Sequence, residues 1–230
     1  MIVSVHQPHY LPWLGYFDKI AASDLFVLLD NVQYKKREYQ NRNRIRTRQG
    51  VKWLTVPVAT TGKYEQMTGE VEIESGASWR EKHLETLRHA YSSAPHFKRV
   101  FEELEELYMG REWARLAEIN SAMLAWFMKE MEIETRVALE SELGTGGLST
   151  ERIVNICRAV GADVYLSGSG GRDYMDEALF EKAGLKLEYQ KYEHPVYPQV
   201  HGGFEPFMGI VDLLFNAGKN AAQIVRSGRR

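Results

Sequence analysis

The opening of the chain alternates strand, helix and strand, and this pattern restricts the fold more than any other feature. Residues 2–5 form a short run rich in β-branched side chains, residues 14–22 can form a helix, and residues 25–29 form a second apolar run. A strand–helix–strand unit of about 30 residues is typical of parallel sheets. Further strands are predicted at residues 136–139, 163–166 and 185–189. We therefore predict an α/β fold built around a parallel sheet.

The middle of the chain is predicted to be helical. Apolar residues recur at helical spacing in residues 79–91, 97–108 and 113–127. We interpret residues 1–230 as a single domain with a helical insertion at about 77–132. Before this insertion, strands are predicted at residues 51–58 and, as an edge strand or half-exposed hairpin, at residues 70–74.

Several element ends can be predicted towards the C-terminus. Ser149 is a good N-cap for a helix at residues 150–160, and Gly161 stands where that helix should end. A last helix is predicted at residues 210–216. The basic tail at residues 226–230 is predicted to fray.

The composition restricts the partners and the compartment. The net charge of the 230 residues is −2, so no overall field attracts nucleic acid or an anionic membrane, and any anion site must be local. We expect no nucleic-acid partner, since no nucleic-acid motif is present. The one cysteine, Cys157, lies in a predicted helix as a core residue, which suits a reducing compartment. No secretory signal or membrane span is predicted, which indicates a cytoplasmic protein, and a homo-oligomer is left open.

The densest group of functional side chains directly follows the first predicted strand. Residues 5–20 hold two histidines, two prolines, two tyrosines and a tryptophan. In open α/β sheets, ligands bind beyond the carboxyl ends of the strands, where this loop lies, and the prolines stiffen it. We predict His6 as a general base or transition-state donor, and Gln7, His9 and Tyr10 as substrate-binding residues. The alternative is an aromatic cap on the sheet with solvated histidines.

A second polar group follows the next predicted strand. Asp30 and Gln33 should face the cleft shared with His6, and we predict Asp30 as a catalytic residue and Gln33 as a binding residue. The next segment, residues 35–48, has seven basic residues and one acidic residue. Because arginine presents a bidentate fork to phosphates, we predict phosphate binding here. The predicted residues are Asn41, Arg42 and Asn43, and a solvated charged face is the alternative.

A glycine-rich loop follows the predicted strand at residues 163–166. Glycines allow positive φ and close approach of the backbone, so consecutive amides can form an anion-binding nest, with Arg172 as the charge. The loop lacks the P-loop lysine and the GxGxxG spacing, and a tight turn is the alternative. The predicted binding residues are Ser167, Gly168, Gly170, Gly171, Arg172 and Tyr174.

The segment at residues 192–204 mixes histidine and aromatic residues with prolines and glycines. We interpret it as a rigid wall or lid over the cleft, and plain loop structure is the alternative. His194 is a candidate proton-transfer group because imidazole titrates near neutral pH. Tyr197 and Gln199 are predicted to bind substrate. The two histidines of the first loop lack an evident third metal ligand, so we predict no metal site.

Nine short motifs run along almost the whole chain. They are HQP (6–8), YLPW (10–13), GYF (15–17), LDNVQY (29–34), NRN (41–43), YLSGSGGRDY (165–174), HPVYPQ (194–199), FEP (204–206) and DLLF (212–215). Together they resemble the WbqC-like family. That family is associated with O-antigen gene clusters, and a glycine-transferase role has been suggested for a member. The resemblance therefore implies a transferase of bacterial surface-polysaccharide biosynthesis.

The opening segment is also similar to that of the nucleotidylyltransferase superfamily, whose GxFDPxHxGH-type motif follows the first strand and contacts phosphates. If Gly15 is matched to the motif's glycine, Trp13 and Tyr16 take the histidine positions. In another register, the two histidines have the right spacing, but Pro8 replaces the glycine. The similarity therefore implies a Rossmann-like, nucleotidylyltransferase-like core more than it implies a reaction.

Three functions follow as expectations. The first is a transferase that moves glycine or a related acyl group to a phosphate-bearing sugar substrate. The second is an ATP-dependent enzyme that activates a carboxylate or transfers a nucleotidyl group, with ATP or another nucleotide and Mg²⁺ as cofactors. The third is a non-catalytic protein that binds a sugar nucleotide.

Overall fold

The computed structural model describes residues 1–63, 65–76 and 78–230. The strands are β1 (Ile2–His6), β2 (Leu25–Leu28), β3 (Arg42–Thr47), β4 (Gly50–Thr55), β5 (Arg136–Leu139), β6 (Val164–Ser167) and β7 (Lys186–Tyr189). The α-helices are α1 (Leu14–Ala21), α2 (Trp79–Tyr91), α3 (Phe97–Met109), α4 (Leu116–Glu130), α5 (Ser149–Ala159), α6 (Glu177–Lys182), α7 (Ile210–Ala217) and α8 (Ala221–Ser227). Across these described residues, no helix is both long enough and apolar enough to cross a bilayer.

Five strands of the described chain form one parallel sheet in the order β5-β2-β1-β6-β7. Numbered among themselves, these strands run 3-2-1-4-5, which is the order of doubly wound sheets. In the central strand β1, Val3 pairs with Leu25 of β2 and with Tyr165 of β6. The chain leaves β1 towards one edge and later returns to its other side, so a crevice opens at the carboxyl end of β1. The predicted α/β fold with a parallel sheet is confirmed.

Helices cover both faces of this sheet, as is usual for parallel strands. Val3 and Val27 pack on one face with residues of α5 and α6. Phe26 and Leu28 pack on the other face with residues of α1 and α4. Cys157 of α5 is buried as predicted, and burial raises the pKa of its thiol to about 12.

β3 and β4 form a separate antiparallel hairpin, whose pairs run from Arg42–Thr55 to Thr47–Gly50. The strand predicted at residues 51–58 is therefore confirmed only over its first part. We did not predict β3, because its alternating arginines and asparagines do not have the apolar composition of a strand. Its partner strand and the core beneath it make this polar sequence extended.

The strand predicted at residues 70–74 is wrong. Thr68–Glu70 is a 3₁₀ turn, and the next residues make only single bridges. Glu72 bridges to Arg115 and Ile73 bridges to Val58. Because these two partners belong to different segments, no continuous ladder forms, despite the clean alternation of the sequence.

The three central helices are confirmed, with α2, α3 and α4 lying within residues 79–130. The first residue of the predicted insertion, 77, lies outside the described residues. The N-cap prediction for Ser149 is wrong. Helix α5 begins at Ser149, which has a φ of 49° and caps nothing with its side chain. The helix ends as predicted before Gly161, whose φ of 70° suits glycine at that position.

The prediction of a frayed tail is also wrong. Arg229 Nε lies 2.8 Å from Asp18 Oδ1, and Arg230 forms an ion pair with Glu193. Asp18 is only 1% exposed, and a buried carboxylate needs a cation or hydrogen-bond donors. The tail supplies that cation, so the end of the chain is held against α1.

Candidate functional site

A cavity of about 640 Å³ lies at the carboxyl ends of β1, β2 and β6. This volume lies in the range that holds small-molecule ligands. Its apolar lining includes Val5, Leu29, Ile153, Tyr165 and Met175. Its polar lining includes His6, Gln7, Asn31, Gln33, Lys35, Ser149, Arg152 and Tyr174. The structure therefore brings His6, Gln7, Gln33 and Tyr174 together among the predicted site residues.

His6 is the last residue of β1, so its side chain stands at the edge of the sheet. Its Nδ1 lies 3.1 Å from the carbonyl oxygen of Gln7. Since a carbonyl only accepts, Nδ1 carries the proton and Nε2 is left with a lone pair. Burial lowers the pKa of His6 well below its usual value, and the nearby charge of Lys19 lowers it further. His6 is therefore a neutral imidazole at pH 7.

His9 supports His6 from behind rather than lining the cavity. The two imidazole rings are 4.5 Å apart, and the ring of Tyr16 stacks on His9 at 5.4 Å. The Tyr16 hydroxyl donates to the carbonyl oxygen of Gln7, the same oxygen that His6 contacts. Burial lowers the pKa of His9 to about 3, so this ring is neutral as well. The aromatic loop thus fixes the orientation of the His6 ring.

Lys19 lies beneath these rings and was not predicted as part of the site. It is 3% exposed, and its Nζ donates to the carbonyl oxygen of Val5 at 3.3 Å. Burial lowers the pKa of this ammonium to about 7. Within the described part of the chain it forms no ion pair. A lysine on a short helix carries no sequence signal of this role, because only the packing of α1 under β1 buries it.

Arg152 is the second residue that we did not predict. Its Nη1 donates to Glu140 Oε1 at 2.6 Å and to the carbonyl oxygen of Asn31 at 2.7 Å, and its Nε donates to that of Gly147 at 2.9 Å. Nη2 has no protein partner among the described residues and is available to a ligand. Arg152 lies in the first turn of α5, whose N-terminal residue Ser149 also lines the cavity.

The arrangement around Arg152 favours an anion. A helix N-terminus carries a partial positive charge and free amide donors, and a guanidinium beside it adds a full charge. Lys35 supplies a second cation to the cavity lining. A glycine-rich loop at residues 144–147 that leads from the edge of the sheet into a helix is the sequence signal that could have located this site.

We predicted that Asp30 faces the cleft shared with His6. It lies beside the cavity, and its carboxylate bonds to Ser141. Its Oδ1 accepts from the backbone amide of Ser141 at 3.0 Å, and its Oδ2 accepts from the Ser141 hydroxyl at 2.5 Å. Its backbone carbonyl accepts from the amide of Gly69. Both carboxylate oxygens thus hold the turn after β5, and the catalytic role of Asp30 stays a prediction.

The two predicted asparagines of the basic segment are buried and bond to the backbone. Asn43 donates to the carbonyl oxygens of Tyr10 and Leu11, and Asn41 donates to that of Val56. Arg42 between them points to the opposite face of the hairpin. Asn43 therefore holds the loop that carries the predicted histidines against β3, whereas Asn41 holds the segment after β4, and both lie outside the cavity.

Tyr10 is fully buried, away from the cavity. Its hydroxyl bonds to His83 Nδ1 at 2.8 Å and to the Tyr108 hydroxyl. His83 Nε2 in turn lies 3.2 Å from the carbonyl oxygen of Thr55. Tyr10 thus anchors the loop after β1 to α2 and α3. We predicted it as a binding residue because it lies with His6, Gln7 and His9 in that loop.

In the glycine-rich loop that we predicted after β6, only Tyr174 of the six predicted binding residues lines the cavity, with a 64% exposed side chain. The loop forms a 3₁₀ turn at Ser169–Asp173, and Gly168, Gly170 and Gly171 do not have positive φ, so the predicted nest is absent. A Cβ on Gly171 would lie 2.0 Å from Ser167 Oγ, so close packing accounts for that glycine.

Arg172 also lies outside this cavity. Its guanidinium stacks 4.2 Å from the ring of Tyr189, on a groove along β7 that Gln190 and Arg229 also line. The anion-binding role of Arg172 stays a prediction, and the arrangement of the loop does not favour it. Arg152 instead lines the cavity, where we expected Arg172 to lie.

The predicted lid packs away from the cavity. His194 Nδ1 lies 2.8 Å from the carbonyl oxygen of Pro195, and its Nε2 accepts from the amide of Phe207 at 3.1 Å, so both ring nitrogens bond to the backbone. Tyr197 and Gln199 donate to the buried carboxylate of Asp212, each at 2.8 Å. This segment is tied to α7, and none of these predicted residues lines the cavity.

The chain is thus an α/β protein with a ligand-sized cleft at the carboxyl edge of a doubly wound sheet. The chain belongs to the WbqC-like protein family, which it matches over residues 7–224. It is 37% identical over 229 residues to the uncharacterized protein Rv1507c of Mycobacterium tuberculosis strain H37Rv, with 99% of each chain covered. No solved structure matches the chain. The resemblance predicted from the motifs is therefore confirmed.

Proposed function

We propose that this protein is a transferase of bacterial surface-polysaccharide biosynthesis that moves a glycyl or related acyl group to a phosphate-bearing sugar substrate. One observation carries the proposal: a neutral imidazole, His6, and an anchored guanidinium, Arg152, line the same cavity. The association of the WbqC-like family with O-antigen gene clusters supports the pathway. The carboxyl edge of the sheet supports the position of the site.

The phosphate of the substrate would bind at Arg152. Three protein acceptors fix this guanidinium, so little side-chain entropy is lost when Nη2 meets a phosphate oxygen. The N-terminus of α5 and Lys35 add positive potential to the same region. These two cations would balance the negative charge of a phosphate or diphosphate.

His6 would act on the nucleophile. Its bare Nε2 accepts the proton of the attacking hydroxyl or amine as that group adds to the acyl carbonyl, and His6 then returns the proton to the leaving group. A low pKa makes His6 a weak base but makes its protonated form a strong acid. The second step, protonation of the leaving group, is therefore the one that this environment accelerates most.

The strand order favours a second candidate, an ATP-dependent enzyme that activates a carboxylate. Sheets of this order bind nucleotides at the crevice where the cavity lies, which also fits the Rossmann-like, nucleotidylyltransferase-like core that the opening segment implies. The described lining residues include no carboxylate. Mg²⁺ would therefore arrive with the nucleotide, held by its phosphates and water.

A thermal-shift panel tests both candidates. The ligands are ATP, sugar nucleotides, coenzyme A thioesters and glycine, each with and without Mg²⁺. A ligand at 100 times its Kd adds about 2.7 kcal/mol, or about 5–10 °C for a chain of this size. Stabilisation by a sugar nucleotide or thioester supports the transferase, and stabilisation by ATP with Mg²⁺ supports the activating enzyme.

Two exposed cations provide a matched pair of variants. Lys35→Ala removes a charge from the cavity, whereas Arg172→Ala removes one from outside it. We expect the first to reduce the ligand-induced shift and the second to leave it unchanged. Equal behaviour of the two variants would contradict a phosphate site in this cavity.

His6→Ala distinguishes an enzyme from a binding protein. In the transferase it should abolish turnover while the protein still folds and still shows the ligand-induced shift. In the activating enzyme, the wild type would also catalyse ATP–pyrophosphate exchange, which simple acyl transfer does not produce. A protein that binds the ligand but shows neither reaction would be a non-catalytic sugar-nucleotide carrier.

A further inference from the structure

The β3–β4 hairpin presents an aromatic and basic outer face. Along β3, Asn43 and Ile45 are buried, so the alternate residues Arg42, Arg44 and Arg46 face outwards. In the register of the hairpin, Arg44 pairs with Trp53 and Arg46 pairs with Val51, which places these side chains on the same outer face.

Large apolar side chains are unusually open on this face. Val51 and Trp53 are each 41% exposed, Tyr39 is 39% exposed and Phe207 is 47% exposed. Phe207 joins the face because its carbonyl oxygen accepts from Arg44 Nη2 at 3.0 Å. We refer to Tyr39, Arg42, Arg44, Val51, Trp53 and Phe207 as the hairpin face.

The positive charge of the hairpin face is largely uncompensated. Arg42 and Arg44 donate to the backbone carbonyls of Arg37 and Phe207, which leave their charges in place. Among the described residues, the one carboxylate that meets an arginine of β3 is that of Glu205, 3.2 Å from the neighbouring Arg46. Residues 35–48 contain seven basic residues and one acidic residue, so a local cationic surface exists on a chain whose net charge is −2.

A row of aromatic rings connects the hairpin face with the loop after β1. Trp53 lies 5.8 Å from Tyr39, and Tyr39 lies 5.8 Å from His9. The ring of His9 is 4.5 Å from that of His6, which lines the cavity. A partner bound to the hairpin face would therefore sit next to the cavity.

We propose that the hairpin face docks this protein on the surface of an anionic bilayer. Trp53, Tyr39 and Phe207 would lie at the level of the headgroups, where amphipathic aromatic rings are favoured, and the arginines would meet anionic lipids. Single-stranded nucleic acid fits this surface less well, because base stacking needs an open ring face and the Arg42 guanidinium covers that of Trp53 at 4.4 Å. The inference goes beyond the proposed reaction and does not depend on it.

Vesicle flotation without any substrate tests the proposal. Wild-type protein is mixed at low salt with vesicles of phosphatidylcholine alone or of phosphatidylcholine and phosphatidylglycerol in equal parts. We expect binding to the anionic vesicles and little to the neutral ones. Arg37 and Arg48 are exposed beside the hairpin face, and each basic residue near an anionic surface contributes a factor of about 5. Arg37→Ala/Arg48→Ala should therefore weaken binding about 25-fold.

A charge-matched control separates this surface from overall charge. Arg158→Ala/Lys182→Ala removes the same two charges from exposed positions of α5 and α6 and should bind like the wild type. Lipids with a quencher at headgroup level should quench tryptophan fluorescence in the wild type, and Trp53→Phe should lose most of that quenching.

Three outcomes would overturn the proposal. The first is no binding to anionic vesicles at low salt. The second is equal weakening by the two double variants, which would indicate a general charge effect. The third is that a single-stranded oligonucleotide binds more tightly than anionic vesicles and that Arg37→Ala/Arg48→Ala weakens its binding equally. This result would assign the face to nucleic acid.

Discussion

Glu140 and Arg152 form an ion pair behind the cavity, with 2.6 Å between Oε1 and Nη1 and with the glutamate side chain fully buried. Glu140 directly follows β5 and Arg152 lies in the first turn of α5, so the pair ties the edge of the sheet to the helix that faces the cavity. Glu140 therefore positions the guanidinium that we propose binds the phosphate.

Arg152→Met should lower the free energy of unfolding by about 3 kcal/mol at pH 8, because it leaves a buried carboxylate without its cation. Burial already raises the pKa of Glu140, and loss of Arg152 would raise it further. A carboxyl whose folded pKa is raised costs stability at high pH, and that cost disappears as the pH falls towards the unfolded value. Urea denaturation should therefore show a smaller deficit at pH 5 than at pH 8.

The control for this prediction is Glu140→Gln/Arg152→Met, which removes both charges. It should recover much of the lost stability at pH 8 and show little difference between the two pH values. An equal deficit of Arg152→Met at pH 5 and pH 8 would mean that lost packing, rather than the unpaired carboxylate, causes the destabilisation.

Tyr197→Phe should affect stability rather than ligand binding. The Tyr197 hydroxyl donates to the carboxylate of Asp212, which is 0% exposed and also accepts from Tyr91 and Gln199. Loss of one hydrogen bond to a buried charge costs about 1.5–3 kcal/mol. We expect a lower urea midpoint and an unchanged ligand-induced thermal shift. An unchanged urea midpoint with a reduced ligand-induced shift would instead support the predicted role of Tyr197 in substrate binding.

The protein should lose stability in mild acid through His83. Burial lowers the pKa of His83 to about 4, and its two nitrogens bond to Tyr10 and to Thr55. A histidine with a depressed folded pKa contributes full stability above its unfolded pKa of about 6.5, and that contribution is lost as the pH falls from there to about 4. The loss attributable to His83 is about 3 kcal/mol over this window.

Urea titrations at pH 7, 5.5 and 4.5 would measure this loss. His83→Gln should be less stable than the wild type at pH 7 but should show a flatter profile, because the titrating group is gone. His6 and His9 have depressed pKa values in the same direction, so some slope should remain. If the stability of the variant fell with pH as steeply as that of the wild type, His83 would be excluded as a cause of the acid-induced loss.

Two neighbouring glycines should respond differently to alanine. A Cβ on Gly171 would meet Ser167 Oγ at 2.0 Å and its Cβ at 3.2 Å, whereas a Cβ on Gly170 would meet nothing within 4 Å. Gly171→Ala should cost about 1–3 kcal/mol through overpacking, and Gly170→Ala should change stability by less than about 0.5 kcal/mol. Comparable losses in thermal unfolding would contradict a packing role that is specific to Gly171.

The sequence predicted the sheet well because its strands are short apolar runs separated by helical patterns. β1, β2, β5, β6 and β7 all fall on such runs, and the carboxyl ends of parallel strands must share one edge. The position of the cavity and the participation of His6, Gln7, Gln33 and Tyr174 follow from that rule. The sequence did not predict β3, because its burial comes from the core beneath the hairpin and not from apolar side chains of its own.

The α/β class, the family and the edge of the sheet where the cavity lies could be predicted without a structure, because they depend on local periodicity and on contiguous motifs. Which charged and polar residues reach the cavity depends instead on contacts between distant segments of the chain. Arg152 and Arg172 are both associated with glycine-rich loops at the same edge, yet Glu140 holds the first at the cavity and the second stacks on Tyr189 outside it. That choice depends on partners 12 and 17 residues away along the chain, and side-chain direction at such distances is set by packing rather than by local sequence.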